Sequence, residues 1–493
     1  MIRLRVTPTF APVNNLDRLH KMYAEDERVR SLAQCFTSTS GDKPRILTTG
    51  LIGAQECFVI LGLNSNSITN QVVIAIDKEE AAYIQNTLDS IHPDKRVSLF
   101  PDSFKRPAKF EQIDAHNVLQ RTEAINRINL NAKGGEIVVT YPEAIFEKVV
   151  NPTLIRDQRI EVSVGENLDL DTILEVLVEY GFERVDFVYE PGQFSIRGGI
   201  VDIFSYGNEF PYRVELFDDE VESVRTFNPM DQLSVRSISK VAIIPNVTGQ
   251  YSGNQKVPLF DVFPEDTVVW IKDVDHLIDR LQFCFEKAEE FAESVKLLED
   301  QVLKDIFRDR AFIYPNDVLD HIASHPLLIN QRSTRLGVYT TEVDFGGKPQ
   351  PNFNRSFNLL IENLKTNEGA DVENYIFTDN AKQIERFYNI FEDLQAKVHF
   401  HPVTQGIHSG FIDPDLRIAC YTDHEIFQRF HRYKLRKGFT REQAINLKMI
   451  RELQPGDFVV HIDHGIGKYS GLEKININGH VQESVRLFYK NND

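Results

Sequence analysis

The sequence predicts a multi-domain α/β protein, and three observations carry that reading. Between Arg45 and Thr140, strand-like apolar runs alternate with segments of helical period. At Asn151-Pro152 this alternation breaks and gives way to one helix followed by several short strands. At 493 residues the chain is also about three times the ~150 residues of a typical domain.

The elements follow in order. Leu19, Met22, Val29 and Leu32 recur at helical spacing and predict a helix from Leu16 to Phe36. Thr37 to Lys43 is a polar loop leading into a strand at Arg45 to Thr49. Strand-like runs at Phe58 to Leu63, Gln71 to Asp77, Arg96 to Phe100 and Glu136 to Thr140 alternate with helical patterns at Lys78 to Ile91 and Asn117 to Ile128. Such alternation predicts a parallel sheet. From Asn151 to about Pro245 the pattern is a compact α+β unit containing the helix Asp171 to Tyr180. After a glycine-rich and polar stretch, the strand-like Asp266 to Lys272 carries the only tryptophan, Trp270, and leads into a long helical pattern from Val274 to Val302. This second α/β segment is placed to return to the first sheet. Gly346 to Asn354 reads as a linker, followed by another small α/β set: Asn374 to Thr378, a helix from Lys382 to Leu394, Val398 to Phe400 and Leu416 to Tyr421. Ile384, Phe387, Phe391 and Leu394 share one face of that helix. Pro455 begins a run of short β patterns that continues to the last residue.

Composition narrows the function. Hydrophobic residues at 42% and charged residues at 26% exclude a mostly disordered chain. Lys plus Arg is 55 against 73 for Asp plus Glu, a net charge of −18, so nucleic acid is not held by bulk charge and any DNA contact is local. Cys35, Cys57, Cys284 and Cys420 lie far apart without CxxC spacing, which reads as reduced thiols rather than a disulfide framework or zinc site. The longest apolar runs are far shorter than the ~20 residues of a membrane span, and no signal region follows Met1, so a cytoplasmic protein without membrane contact is expected.

Four motifs carry the functional reading. The first, Gly50-Leu51-Ile52-Gly53-Ala54-Gln55-Glu56-Cys57, follows a strand where a phosphate-cradling loop would sit. A phosphate loop needs a lysine for the β and γ oxygens and a hydroxyl for magnesium, and here Glu56 and Cys57 stand in those places. The alternative is a glycine turn packing a strand against a helix. The second, Gly465-Ile466-Gly467, is followed by a β pattern rather than the helix that a dinucleotide fingerprint requires. His461 and His464 nearby have no third metal ligand. With no GxSxG, HExxH or acid pair after a true phosphate loop, the sequence offers no catalytic residue, cofactor or metal site. The third motif is Gly192 to Phe204 with Pro211 to Glu220. Strand alternation turns Arg197, Arg213 and Phe217 outward, an aromatic and arginine composition typical of protein-interface hot spots. Its alternative is a solvated ion-pair face with Phe217 under a loop. The fourth is Arg429 to Lys437, five Lys or Arg in nine residues, which reads either as a DNA-backbone contact or as a solvated helix end.

GQFSIRGGIVDIFS (Gly192 to Ser205) with PYRVELFDDEVESVRTF (Pro211 to Phe227) resembles the UvrA-binding domain shared by UvrB and the bacterial transcription-repair coupling factors (Mfd). Gly456-Asp457-Phe458-Val459-Val460-His461-Ile462-Asp463-His464-Gly465-Ile466-Gly467-Lys468-Tyr469 is similar to the opening of the CarD-like, polymerase-binding module of the coupling factors. The two occur in the order that family requires. The resemblance implies a UvrB-like split α/β domain (1–151 and 246–350), an inserted α+β UvrA-binding domain (152–245), a small α/β domain (351–433), a basic helical linker (434–452) and the start of an SH3/Tudor-like barrel (453–493). Set against UvrB, Gly50 and Gly53 fall on the phosphate-loop glycines, while Gln55, Glu56 and Cys57 replace the third Gly, the Lys and the Thr. This looks like a decayed nucleotide site. The region matching UvrB's tyrosine-rich hairpin, Pro101 to Ile125, reads as short, helical and without tyrosine.

The implied function is a non-catalytic adaptor of nucleotide excision repair and transcription-coupled repair. Arg197, Arg213 and Phe217 would form the centre of the UvrA-docking surface, and the β segment with Val485, Leu487 and Tyr489 would contribute to binding the β subunit of RNA polymerase. The family's ATP-dependent DNA translocase, and most of its DNA binding, would lie beyond Asp493, so the chain resembles a fragment of a longer protein. Two rivals remain at this stage: a UvrB-like nucleotide-dependent enzyme, distinguished by ATP hydrolysis, and a DNA-binding scaffold acting through Arg429 to Lys437, distinguished by steep salt dependence.

Overall fold

Runs rich in β-branched residues, such as Gln71–Ile74, Ile137–Thr140 and Val268–Ile271, are buried at every position, the signature of strands covered on both faces. They belong to a seven-stranded sheet in a computed structural model that describes residues 15–37, 43–67, 69–92, 97–106, 108–130, 134–154, 159–206, 210–244, 255–295, 304, 311–429, 456–461, 465–477 and 480–488. The strand order is Thr341–Asp344, Arg45–Thr49, Leu327–Ile329, Val268–Ile271, Gln71–Ile74, Ile137–Thr140, Val97–Leu99, and every pairing is parallel. The segment after residue 255 thus returns to the sheet begun at Arg45. At the seam, Trp270 Nε1 donates to Gln71 Oε1 at 2.9 Å inside the core.

Between the two visits the chain leaves the sheet through a doubled neck. Val149–Val150 pairs with Lys256–Val257 and Ile160–Ser163 with Lys240–Ile243, both antiparallel, so entry and exit lie side by side. The excursion forms a second, six-stranded sheet in the order Ser234–Ile238, Glu220–Phe227, Tyr212–Phe217, Ile200–Ile203, Gln193–Arg197, Glu183–Arg184. Phe194, Val201, Val214 and Val224 on its inner face pack with Ile173 and Leu177 of the helix Leu170–Glu179. A third unit has a five-stranded sheet ordered Lys348–Pro349, Phe411–Asp413, Ile418–Thr422, Glu373–Phe377, His401–Val403, with the helices Phe357–Gly369 and Ala381–Asp393. Phe458–His461, Gly465–Ile477 and His480–Phe488 form an antiparallel three-stranded meander.

Several expectations are corrected. Phe58 to Leu63 is not a strand but part of the helix Gln55–Asn66, buried at every residue from Gln55 to Leu63. A helix covered all round loses its amphipathic period and reads as an apolar run. The long first helix is two, Asn15–Glu25 and Glu27–Thr37, broken at Asp26, whose carboxylate accepts from the Arg28 amide at 2.8 Å. Within Pro101 to Ile125, Phe104–Arg106 and Lys109–Ile113 pair as an antiparallel hairpin before the helix Ala115–Leu130, so that region is not simply helical. The strand expected at Val398 to Phe400 lies at His401–Val403, and Leu394 points away from the core formed by Ile384, Phe387 and Phe391. The helix Phe357–Gly369, capped by Ser356, had no counterpart in the sequence reading. Among the described residues no helix is long and apolar enough to cross a membrane.

Candidate docking face and the phosphate-loop position

Antiparallel register sets Ser195, Asp202, Arg213, Arg225 and Ser237 in one row across the outer face of the six-stranded sheet. Arg197 lies two residues beyond Ser195 and Glu215 two beyond Arg213, so strand alternation puts them on the same face. The Gly198-Gly199 turn joins the strands Gln193–Arg197 and Ile200–Ile203. Gly198 sits at φ +62°, and a Cβ on Gly199 would lie 2.7 Å from the Leu216 carbonyl oxygen, so neither position accepts a side chain without rearrangement.

Asp202, fully buried, organises the row. Arg213 Nε donates to Oδ1 at 2.7 Å and Arg213 Nη2 to Oδ2 at 2.9 Å, while Arg197 Nη2 reaches Oδ2 from the other side. The Arg213 guanidinium stacks 4.4 Å from the Phe227 ring centre and donates from Nη1 to the Gln232 carbonyl at 3.1 Å. Arg197 lies 4.8 Å from the Phe187 ring centre. On the next strand pair, Glu215 joins Arg225 and accepts from Ser223 Oγ at 2.7 Å. Phe217 follows a bulge at Glu215/Leu216 and is 72% exposed, which removes the reading that tucks it under a loop. Arg213, by contrast, is more deeply set than strand alternation suggested: only 15% of its side chain is exposed. Sequence reasoning passed over Asp202, a carboxylate on the outward position of an apolar strand between two arginine-bearing neighbours. The face offers planar guanidinium groups held in fixed orientations, and its middle strand ends in an exposed aromatic ring, both of them residue types that anchor protein partners.

At the phosphate-loop position, Gly50 and Gly53 follow the strand Arg45–Thr49 with φ +68° and +55° and lead into the helix Gln55–Asn66. Glu56 is buried and is held by two groups at the ends of neighbouring strands. Lys272 Nζ lies 2.7 Å from Oε2, and Asn330 Nδ2 donates to Oε1 at 3.0 Å. Lys272 also contacts Glu80 Oε1 at 2.8 Å. Burial alone would push the Lys272 ammonium down, but Glu56 and Glu80 overcome it and hold it above the usual lysine range. A lysine is therefore present near the loop, supplied by a different strand and neutralised by two carboxylates. Burial drives the Cys57 thiol well above its ordinary value, which keeps it protonated. Gln55 is buried too, accepting from the Ile52 amide at 3.2 Å and donating from Nε2 to Asp413 Oδ2 at 2.9 Å.

Of the residues expected to contribute to polymerase binding, Val485 and Leu487 lie on the last strand of the meander, in register with Leu472 and Tyr469, and Tyr489 lies outside the described residues. Arg429 pairs with Asp423 at 2.9 Å and stacks 4.9 Å from the Phe427 ring centre. The rest of the basic run, Arg432, Lys434, Arg436 and Lys437, is outside the described residues, as are the linker 434–452 and His464. No group of three or more potential metal ligands occurs among the described residues.

Two of these regions, the outer face of the six-stranded sheet and the three-stranded meander, fall within family matches. The UvrB interaction domain matches residues 160–248, and the CarD-like/TRCF RID domain matches residues 453–493. The transcription-repair-coupling factor of Bacillus subtilis (strain 168) is 25% identical, the match covering 91% of this chain and 44% of that protein. Those of Staphylococcus epidermidis (strain ATCC 35984) and Staphylococcus aureus (strain USA300) are 23% and 21% identical and cover 95% and 96% of this chain. The chain spans less than half the length of these relatives. Its UvrB interaction domain holds the Arg197, Arg213 and Phe217 face, its CarD-like/TRCF RID domain holds the three-stranded meander, and over nearly its whole length the chain resembles transcription-repair-coupling factors.

Proposed function

We propose that the chain is the adaptor portion of a cytoplasmic transcription-repair coupling factor, docking UvrA on the Arg197, Arg213 and Phe217 face and the β subunit of RNA polymerase on its CarD-like part. The observation that carries this reading is the exposed Phe217 on the strand that also bears Arg213, with Arg213 and Arg197 both held by Asp202, all inside the UvrB interaction domain match. Bridging the two partners would bring nucleotide excision repair to a stalled polymerase. ATP-driven translocation on DNA would be an activity of a full-length coupling factor, as the resemblance implies. This part is non-catalytic, a reading supported by Glu56 standing in the place of the phosphate-binding cation.

The domain plan under this proposal is a split UvrB-like α/β domain over 1–151 and 246–350, with a UvrA-binding domain (152–245) inserted. A small α/β domain (351–433) and a basic linker (434–452) precede the polymerase-binding domain, which begins at 453. One seven-stranded sheet drawing strands from both sides of a zipped neck supports the split. Three antiparallel strands support reading 453–493 as the start of an SH3/Tudor-like barrel, with the Val485 and Leu487 strand contributing to the polymerase contact. Capture of purified UvrA by the immobilised chain, with and without duplex DNA, tests the reading. DNA-independent capture that is lost in the Arg197, Arg213 and Phe217 triple alanine variant is expected, and undiminished capture by that variant overturns it.

A further inference from the structure

The phosphate-loop position is occupied from within the chain. Residues 406–413 of the third unit pass directly across the loop that precedes Gln55–Asn66. Ala54 N donates to the Ser409 carbonyl at 3.1 Å, and Gln55 Nε2 donates to Asp413 Oδ2 at 2.9 Å. A Cβ on Gly53 would lie 2.8 Å from the Gly410 carbonyl oxygen, so the two backbones meet without room for a side chain. An N–H group at the start of a helix is the donor that a phosphate loop aims at its anion. Here a peptide carbonyl takes it.

The contact extends well beyond the loop. Asp413 is fully buried and accepts from Tyr23 Oη at 3.0 Å and from Arg28 Nη2 at 3.0 Å, in addition to Gln55. Arg28 is shared among Asp26, Asp413 and Asp415 at 2.6, 3.0 and 2.8 Å. Burial by itself would lower the Arg28 guanidinium, and Asp26 with Asp413 raises it instead. At the other end of the segment, Gly406 N donates to Ser90 Oγ and His408 N to Thr87 Oγ1, each at 3.0 Å. Three separate elements of the large parallel domain therefore hold one eight-residue stretch: the paired helices Asn15–Thr37, the loop before Gln55, and the helix Lys78–Ile91.

We propose that the third unit is the permanent ligand of the former phosphate loop, and that loop and unit form one cooperative block which opens only as a whole. The reason lies in Asp413. A buried carboxylate is tolerated only while its donors are in place, and separating the two units would strip it of Arg28, Tyr23 and Gln55 together. Partial opening is thereby disfavoured, and the angle between the units is fixed by protein contacts without a nucleotide. This gives the third unit a role, as a brace on the UvrB-like sheet, that is independent of whether UvrA docks elsewhere.

Amide hydrogen exchange on the whole purified chain tests this. In Asp413→Asn, peptides covering 50–57 and 406–413 should exchange at least tenfold faster and by the same factor, while Gln71–Ile74 and Val268–Ile271 keep their protection. Gly53→Ala approaches from the opposite side of the contact, pressing a methyl group on the Gly410 carbonyl, and should give the same paired loss. If Asp413→Asn unfolds the chain outright, Gly53→Ala decides alone. Acceleration confined to one of the two segments, or absent from both, overturns the proposal.

Discussion

Asp202 grips Arg213 with both carboxylate oxygens, Nε to Oδ1 at 2.7 Å and Nη2 to Oδ2 at 2.9 Å, on the face that carries Phe217. Strand alternation turns Arg213 outward, and this pair nevertheless ties it to a buried carboxylate. Truncating Arg213 leaves a fully buried carboxylate with Arg197 as its remaining cation, and an under-satisfied buried acceptor costs about 1–3 kcal/mol. Arg213→Ala should lower the urea midpoint accordingly. An unchanged midpoint would show that Asp202 is satisfied without Arg213.

Phe217 separates docking from stability. With most of its ring in solvent it supports little of the core, so Phe217→Ala should change unfolding by less than about 0.5 kcal/mol. If it anchors UvrA, the same change should weaken capture by about 2 kcal/mol, roughly thirtyfold. Wild-type affinity in this variant would remove Phe217 from the interface.

The Glu56 and Lys272 pair bears on nucleotide chemistry. Titration calorimetry with magnesium-ATP should show no binding heat, because the nearby lysine is already held by Glu56 and Glu80. Glu56→Lys, which places a cation at the motif position, sets two ammonium groups together in a buried place. It should destabilise the chain by about 3 kcal/mol or more rather than create a nucleotide site. Micromolar binding by the wild-type chain would contradict this.

Burial lowers the pKa of His20, His325 and His401, so the fold favours their neutral rings. His325 shows why: its Nε2–H donates to the Phe260 carbonyl at 2.9 Å, and its buried Nδ1 has no hydrogen-bond partner among the described residues. The unfolded chain, with ordinary values near ~6.5, takes up protons first as the pH falls. This contribution to stability is intact above about pH 6.5 and is lost below it. Urea midpoints should therefore fall on going from about pH 7.5 to about pH 5.5, less so in His325→Gln. The same slope in that variant would assign the effect to other groups.

What the sequence disclosed follows from the range of the forces involved. Runs rich in β-branched residues announced the parallel strands because burial on both faces leaves few polar positions, and the same near-total burial disguised Phe58 to Leu63 as a strand. The outward placement of Arg197, Arg213 and Phe217 was legible because alternation along a strand is local. Asp202 was not, since its meaning comes from side chains on two neighbouring strands. Lys272 beside Glu56 and Arg28 beside Asp413 join residues hundreds of positions apart, and no periodicity within one segment reports such a pairing.

Trp270, the only tryptophan in the chain, sits in the middle strand of the parallel sheet with its indole N–H tied to Gln71. Its ultraviolet emission is thus an inherent optical label confined to one of the sheets. A red shift on heating or in denaturant reports exposure of that sheet's interior and is blind to the docking face. Compared with circular dichroism over the same range, it reveals whether the inserted sheet melts in step with its host or on its own.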